Sequence, residues 1–385
     1  MEISAYIKDI LTQSTGKQYT GAAEMKNTQE RQRKDIFHPA AKVIFLIVTL
    51  CVCLLGLIIK YNLSKKTDMN VSAVSSDDAR TPNFITEYIR ASGIISDTNV
   101  TNIKTNPCTD LCVPTYITKV DGTYFLVDCY HDQVIYNDNL TGPINEWKVM
   151  TDDIDKGHTL ASDGTVYLID DTERHRILIF EKKEDAYVHT QTFDNIGNRP
   201  HYIIYDAPTD TFYAWSSMSG EMYLFRHNPD DTRMYLTEIR RIETLNNVYV
   251  RSFTIVDDEI YFVSGNSSII RASLDSFEIL DTYPVPDSMA GMIQLTPIQD
   301  YFYITISTDI TGNQDYATII RTRDLSTLMD GGYEDIYNNF IGGGTPYYIT
   351  ALDGAYYLTE HRLPGHSLWK FQVEDNLIKD VETVY

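Results

Sequence analysis

Positive charge is scarce in this sequence. The 385 residues contain 32 Lys and Arg against 54 Asp and Glu, which gives a net charge of −22. A body this acidic repels the phosphate backbone of nucleic acids, so we exclude nucleic acid as a partner. The partners that suit it are cations, neutral sugars or peptides, and basic surfaces. The simpler alternative is that the acidic surface only keeps a secreted domain soluble.

The sequence also lacks the common catalytic motifs and lacks helical periodicity over most of its length. It contains no Walker-type loop, no Gly-x-Ser-x-Gly elbow and no His-Glu-x-x-His helix. Beyond residue 60, only a short stretch around 84–90 has helical spacing. Tyr (28), Phe (14) and Trp (3) accompany many Ile, Thr and Val, and such side chains favour strands. We therefore predict an all-β body.

Charge is absent from one apolar run of 17 residues, 43–59, which Lys42 and Lys60 flank. At about 1.5 Å per residue the run spans roughly 26 Å, the short end of a transmembrane helix. A polar tail precedes it and no small-residue cleavage site follows, which favours an uncleaved signal anchor over a cleaved signal peptide. Five basic residues lie just before the run and four just after it. This bias predicts a cytoplasmic N-terminus.

The predicted organisation therefore has four parts. Residues 1–42 form a cytoplasmic tail and 43–59 the single transmembrane helix. Residues 60–83 are polar and aperiodic, which is typical of a stalk. Residues 84–385 form the extracytoplasmic domain, so we expect a single-pass protein of the cell membrane.

A repeated unit starts at residue 108. An apolar strand, an Asp-Gly turn, an aromatic strand and an acid seven residues after the Asp recur in 114–128, 157–170 and 346–360. Three weaker copies lie between them. The spacings between corresponding positions are 43, 43, 51, 40 and 55 residues, where these positions are Tyr116, Thr159, Tyr202, Phe253, Ile293 and Tyr348. Six such units predict a six-bladed β-propeller, with four strands in each blade.

The second unit, 160–180, resembles an NHL-type repeat. Its Asp163-Gly164, its aromatic strand, its acid and then His175 before the third strand follow that pattern, and the first unit resembles it with one residue fewer. The resemblance covers 108–385 in architecture, and only units one, two and six match well. It implies a propeller, but that fold hosts binders, hydrolases and lyases alike.

The start of each innermost strand is expected to line the central channel. His158 and His201 occupy matching positions there, and Tyr116, Arg251 and Tyr348 lie at the same point of other blades. We predict that these side chains bind a ligand. Elsewhere, Trp215 is a candidate for stacking on a sugar ring or a peptide side chain, or else for packing inside the blade.

Six-bladed peptidyl-hydroxyglycine lyases of the NHL type are similar in one respect, because they bind zinc through channel histidines. The resemblance implies a divalent cation at His158 and His201, with His131 or His361 as the third ligand that catalytic zinc prefers. Propellers of the gluconolactonase type bind a cation through an acid at the start of blade one, and residues 111–114 offer none.

Other residues leave alternatives open. Asp128, Asp170 and Glu360 share one position in three blades, either as a ring of carboxylates for a cation or sugar, or as caps of the neighbouring turns. Cys108 and Cys112 are spaced to close a small disulfide loop in an oxidising exterior.

Three functions remain open. The first hypothesis is a membrane-anchored propeller that binds an oligosaccharide or peptide at the channel. The second is a metal-dependent lyase or hydrolase that uses the channel histidines. The third is a scaffold for protein interactions, which would need no small ligand.

Overall fold

A computed structural model describes residues 93–94, 103–342, 344–362 and 365–385. All of them belong to one compact unit, Ala73–Tyr385. The predicted tail, anchor and stalk, and the possible helix at 84–90, lie outside the described residues. Within those described ranges, no helix has both the length and the apolar character needed to cross a membrane.

Twenty-six strands account for more than half of the described residues. Two short ones come first, β1 (Gly93–Ile94) and β2 (Lys104–Thr105). The strands of blades one to three are β3 (Pro114–Val120), β4 (Thr123–Asp128), β5 (Gln133–Asn137), β6 (Lys148–Thr151), β7 (Leu160–Ser162), β8 (Val166–Asp171), β9 (Arg176–Lys183), β10 (Ala186–Phe193), β11 (Pro200–Asp206), β12 (Thr211–Ser216), β13 (Glu221–His227) and β14 (Met234–Arg241).

The remaining blades follow in the same way. Their strands are β15 (Val250–Val256), β16 (Glu259–Ser264), β17 (Ser268–Ser273), β18 (Ile279–Pro284), β19 (Gly291–Ile298), β20 (Tyr301–Thr308), β21 (Asp315–Thr322), β22 (Glu334–Asp335), β23 (Thr345–Leu352), β24 (Ala355–His361), β25 (Leu368–Glu374) and β26 (Leu377–Thr383). Short 3-10 helices connect some of the strands, at Cys129–His131, Ile144–Glu146, Ala207–Thr209, Glu243–Leu245, Asp287–Met289, Leu325–Asp330 and Tyr337–Asn339.

Six antiparallel sheets confirm the six-bladed all-β propeller. Each blade takes four strands from one continuous stretch of chain, in sequence order from the innermost to the outermost. Blades one and two gain a fifth, outer strand from the preceding segment, because β2 pairs with β6 and β1 pairs with β10. Five of the six corresponding repeat positions lie in the innermost strands. The sixth, Thr159, lies one residue before β7 begins.

The Asp-Gly pairs form the inner hairpin turns of blades one and six. Asp121 and Gly122 have φ of 48° and 87°, and Asp353 and Gly354 have 51° and 75°. Two consecutive residues with positive φ make a type I′ turn, whose twist matches that of the two strands it joins. The sequence signal therefore identified these hairpins for a physical reason.

A β-bulge interrupts the innermost strand near its start in five of the six blades. In β11, Pro200 pairs with Ser216 and Tyr202 with Trp215, which leaves His201 as the extra residue. Related register shifts occur in β3, β15, β19 and β23. A bulge turns side chains away from the regular alternation, so consecutive residues there can both face the channel.

Hydrogen bonds from side chains of each blade reach the backbone of the next blade, at or beside its innermost strand. A buried hydroxyl or indole donates to a backbone carbonyl at every junction. In order around the ring, the donor and acceptor atoms are Thr115 Oγ1 to His158 O (2.8 Å), Thr172 Oγ1 to Pro200 O (2.7 Å), Trp215 Nε1 to Val250 O (3.1 Å), Ser252 Oγ to Ile293 O (2.6 Å), Thr305 Oγ1 to Tyr347 O (2.6 Å) and Thr359 Oγ1 to Thr115 O (2.7 Å).

Apolar side chains fill the spaces between the blades. Between blades three and four, for example, Trp215 packs on Phe262 with ring centroids 4.6 Å apart, and Met222 and Phe253 belong to the same buried cluster. Fully burying one such side chain stabilises the fold by roughly 1.5–3 kcal/mol. The propeller is thus held by a core at each junction, and this core fixes the residues around the central channel.

Candidate functional site

The predicted channel residues gather where the innermost strands begin, on one face of the propeller, which we call the entrance face. His158 precedes β7, and its N–H donates to the buried Asp170 Oδ2 at 2.9 Å. His201 occupies the bulge of β11. The two imidazole rings stack with centroids 3.8 Å apart and planes inclined by 25°. The structure therefore brings together the two histidines whose blade positions matched in the sequence.

Hydrogen bonds orient the His201 ring. Its Nδ1 lies 3.0 Å from Arg251 O, which only accepts, so Nδ1 carries the proton. Its Nε2 then accepts from the hydroxyls of Tyr249 and Tyr347, at 3.2 and 3.5 Å. Burial and the neighbouring His158 hold the pKa of His201 well below its usual range. The ring is therefore neutral near pH 7 and acts as a fixed hydrogen-bonding group.

His158 is held by a different set of groups. Its Nδ1 lies 3.0 Å from Thr172 Oγ1, which in turn lies 2.9 Å from Asp170 Oδ2. Its Nε2 lies 3.9 Å from the sulfur of Cys129. Burial, with Asp170 nearby, raises the pKa of the Cys129 thiol, so the sulfur stays protonated and is a weak hydrogen-bond donor to the imidazole.

Tyrosines from opposite blades close the centre of the ring. The Tyr348 ring lies 5.0 Å from that of Tyr202 and 6.0 Å from that of Tyr116, centroid to centroid. These rings belong to blades six, three and one. Burial raises the pKa of Tyr348 far above its usual range and that of Tyr202 to about 12, so both hydroxyls are neutral. His201 is fully buried and His158 is only 7% exposed, so the tyrosines and the surrounding groups enclose both imidazole rings.

Arg251 lies at the edge of this cluster and is half-buried. Its Nη1 donates to Gly291 O and Met292 O, at 3.2 and 3.3 Å. Its guanidinium also lies 4.7 Å from the ring centroid of Tyr249, which is a cation–π contact. These contacts hold the positive charge beside His201.

A cleft of about 400 Å³ opens next to Arg251 on the entrance face, and we call it the mouth cleft. Its walls are Met218 and four segments, namely 247–251 around the start of β15, 265–266 between β16 and β17, 290–291 at the start of β19, and 308–312 after β20. The volume lies within the range of small-molecule sites. Tyr249 and Arg251 belong both to the cleft and to the His201 cluster, so the two are continuous.

Two predicted site residues lie elsewhere. Trp215 is fully buried in blade three, with its Nε1 donating to Val250 O, so it packs between blades and offers no surface to a ligand. His131 lies on the surface of blade one, where its Nδ1 contacts the buried Asp128 at 2.7 Å. It makes no hydrogen bond or ring contact with His158 or His201 within the described part of the chain.

His361 lies nearer the site, with its ring 6.0 Å from that of Tyr347. Burial, reinforced by the charge of Arg362, lowers the pKa of His361 to about 4. Across the described ranges, no three His, Cys, Asp or Glu side chains are grouped as metal ligands would be. Within the same ranges, Cys108, Cys112 and Cys129 are free thiols.

The three matching carboxylates are fully buried and bonded internally. Asp128 accepts the N–H groups of Cys112 and Val113 at 3.1 and 2.9 Å. Asp170 accepts those of His158 and Thr159 in the same way. These two therefore cap turns, which was one of the two alternatives from the sequence.

Glu360 differs from the other two carboxylates. Its oxygens accept from the Tyr337 hydroxyl and from Trp369 Nε1, which are side-chain donors. Its carboxylate also accepts a backbone hydrogen bond from Gly344. Blade six therefore adds an aromatic pair of donors to a backbone donor, whereas blades one and two use backbone N–H groups for this contact.

Sequence reasoning missed Tyr249 and Thr172, which complete the surroundings of the two histidines. Tyr249 precedes β15 in a loop, outside the repeat pattern, and Thr172 lies just after β8. No repeat signal marked Thr172, because Tyr130 and Arg362 occupy the matching position in blades one and six.

No protein-family model matches the chain, and no curated protein matches its sequence. The fold is similar to that of a candidate 6-phosphogluconolactonase from Bacteroides fragilis, at 12% identity and a TM-score of 0.52, over 70% of this chain and 84% of that one. The corresponding protein from Bacteroides uniformis is 13% identical, with a TM-score of 0.50, over 70% of this chain and 85% of that one. A catalytically inactive virginiamycin B lyase from Staphylococcus aureus, solved with quinupristin, is 18% identical, with a TM-score of 0.49, over 74% of this chain and 88% of that one. At these identities the likeness shows the propeller fold alone.

Proposed function

We propose that this propeller binds an oligosaccharide or peptide at its entrance face. One observation carries the proposal: His158, His201, Arg251 and Tyr249 converge from three blades beside the mouth cleft. A structural role alone would not require a half-buried cation at the opening of a cleft. The polar groups there have fixed positions, and preorganised groups lose little entropy when a ligand binds.

The protonation states favour binding over nucleophilic chemistry by these side chains. Cys129 is held as a neutral thiol, and His201 already uses both ring nitrogens in hydrogen bonds. Tyr347, buried beside them, has its pKa raised well above the usual range. Neutral imidazole, phenol and thiol groups donate and accept hydrogen bonds, which is the chemistry of recognition.

The setting of this site is also part of the proposal. We place the propeller outside the cytoplasm, with NHL-type blades on a stalk at 60–83 and a transmembrane anchor at 43–59. The uncharged run supports the anchor, and the basic residues before it support a cytoplasmic N-terminus. Alkaline phosphatase, which is active only outside the cytoplasm, fused after Tyr385 tests the orientation. Active enzyme is expected, and an inactive fusion that is made in full length would contradict it.

A binding screen tests the site. The full-length protein in detergent is applied to an array of neutral and acidic oligosaccharides and of peptides, as wild type and as Arg251→Ala. Arg271→Ala is the matched control, because Arg271 lies in the same blade but pairs with Asp281 on its outer strands. We expect binding that Arg251→Ala weakens and Arg271→Ala preserves.

Thermal unfolding of each variant shows that it is folded before its binding is compared. The proposal is wrong if the wild type binds nothing on the array, or if folded Arg251→Ala binds every ligand as the wild type does.

A further inference from the structure

We infer that the ligand of the mouth cleft is an acidic sugar, whose carboxylate pairs with Arg251. This inference rests on the proposed function and adds the chemical class of the ligand. It depends on the unpaired charge of Arg251 and on the polar groups that surround it in the cleft.

Arg251 has no carboxylate partner among the residues that the structure describes. Other arginines of blades four to six are paired, as Arg271 is with Asp281 and Arg321 with Glu334. In a chain with a net charge of −22, an arginine without an acidic partner is an exception. Arg251 is half-buried in the wall of the cleft, where its charge faces a space that a ligand can enter.

The geometry leaves one edge of the guanidinium open. Both hydrogen bonds of Arg251 to carbonyls come from Nη1, and the ring of Tyr249 supports its face. The N–H groups of Nε and Nη2 point along the other edge, where the described chain gives them no acceptor. Two parallel N–H groups match the two oxygens of a carboxylate, which makes this the strong, bidentate form of the contact.

Groups that suit sugar hydroxyls line the rest of the cleft. Asn247 and Asn266 are exposed, and their side-chain amides make no hydrogen bond within the described ranges. Asp309 accepts its side-chain hydrogen bonds from Thr311 and Gln314 on Oδ1, which leaves Oδ2 for a donor from a ligand. An amide both donates hydrogen bonds to hydroxyls and accepts them, and an ionised carboxylate accepts them.

These groups favour a sugar over a peptide. The C-terminal carboxylate of a peptide would also satisfy Arg251, but a peptide places fewer hydroxyl groups in a small volume than a sugar ring does. A sugar ring with several hydroxyls uses both amides and the carboxylate oxygen of the cleft. A neutral sugar, in turn, would leave the arginine without an anion.

Titration calorimetry on the full-length protein tests the inference. The probes are oligosaccharides that contain uronic or sialic acid, and the same compounds with each carboxyl group reduced to an alcohol. The protein is made in a host that does not glycosylate Asn266, which begins an Asn-x-Ser triplet in the cleft. The variants are Arg251→Gln, Arg251→Lys and the control Arg271→Gln.

We expect the wild type to prefer an acidic probe to its reduced form by about 10- to 100-fold, the scale of a charge-assisted hydrogen bond. Arg251→Gln should lose this preference while it keeps the weak binding of the reduced form. Arg251→Lys should keep part of the preference, because its point charge lacks the two-pronged geometry. Arg271→Gln should resemble the wild type.

The other outcomes separate the two proposals. Equal affinity for acidic and reduced probes would overturn the acidic sugar and leave the proposed binding site standing. The same holds if only peptides with a free C-terminal carboxylate bind in an Arg251-dependent way. If no sugar or peptide binds at all, both proposals fail.

Discussion

His201 illustrates how burial sets the chemistry of single residues in this propeller. Its ring is enclosed by His158, three tyrosines and a backbone carbonyl, and its burial there holds its pKa well below the usual range. A neutral ring keeps one donor and one acceptor in fixed directions. At another histidine the pKa is raised instead, because the attraction of a carboxylate partner outweighs the effect of burial.

His227 is such a case and gives a pH-dependent prediction. Its Nε2 lies 2.6 Å from Asp163 Oδ2, and this contact raises the pKa of His227 from 6.5 to about 9. The stabilisation is therefore complete below pH 6.5 and is lost as the pH rises through 9. Relative to His227→Gln, the free energy of unfolding of the wild type should fall by roughly 2–3 kcal/mol across this window.

Chemical denaturation at a series of pH values measures this difference. A constant difference in stability between the wild type and His227→Gln from neutral to alkaline pH would contradict the assignment.

Asp170 gives a second prediction at this scale. Its buried carboxylate accepts hydrogen bonds from two backbone N–H groups and from the Thr159 hydroxyl, and its Oδ2 lies 2.9 Å from the Thr172 hydroxyl. Asp170→Asn replaces one acceptor oxygen with a donor that faces these donors. The unfolding free energy should fall by about 2–3 kcal/mol. Urea denaturation measures the loss, with the exposed Asp153→Asn as a control that should cost under about 1 kcal/mol; equal losses would refute the prediction.

At the scale of the strand, the bulges explain how far the sequence could predict the site. The recurring Asp-Gly turns located the inner hairpins, and matching positions then identified His158 and His201. Strict alternation, however, sends consecutive residues to opposite faces, whereas Tyr347 and Tyr348 both reach His201. The bulge that causes this lies between the paired residues Pro346 and Ile349 of β23. No residue type in the sequence marks its position.

Trp215 also shows a limit of prediction from the sequence. Its aromatic ring would suit a ligand site or an interior position, and composition does not distinguish the two. The contact with Phe262 across the blade junction does so, because it depends on how two sheets pack. Packing between blades joins residues that are distant in sequence, and the repeat pattern describes only one blade at a time.

The type I′ turn of blade one gives a prediction for a single element. Gly122 has φ of 87°, and a Cβ at this position would meet nothing within 4 Å. Gly122→Ala therefore adds strain without a clash and should lower the unfolding free energy by about 1 kcal/mol. Gly122→Asn should cost less, because Asn tolerates positive φ. Thermal unfolding compares the two, and an alanine variant at least as stable as the asparagine variant would contradict the turn assignment.

Over the whole molecule, the ring closes through contacts between blades six and one. The Tyr385 hydroxyl contacts the carbonyls of Leu140 and Gly142, and Trp147 Nε1 donates to it at 3.1 Å. On the opposite face of the ring, Lys119 pairs with Asp353 at 2.8 Å. Six repeats of similar length predicted a closed ring. Lys119 and Asp353 lie within repeats, but Tyr385 and its partners Leu140, Gly142 and Trp147 lie outside the repeated unit.

Tyr385→Phe tests this closure. The variant loses the hydroxyl that joins Trp147 to two carbonyls, while the ring contact with Trp147 remains. The unfolding free energy should fall by about 1–2 kcal/mol, with Tyr316→Phe, whose ring is exposed, as the matched control. If urea denaturation gives the same midpoint for both variants, the hydroxyl plays no part in closure.

The central claim is that a ligand binds at the entrance face, between Arg251 and the loop after β20. Hydrogen–deuterium exchange of the full-length protein, with and without the tightest binder from the array, tests it most directly. We predict that the ligand slows exchange in 247–252, 265–266 and 308–312, and leaves the turns at 121–122 and 353–354 unchanged. Protection confined to those turns, on the opposite face, would contradict the account.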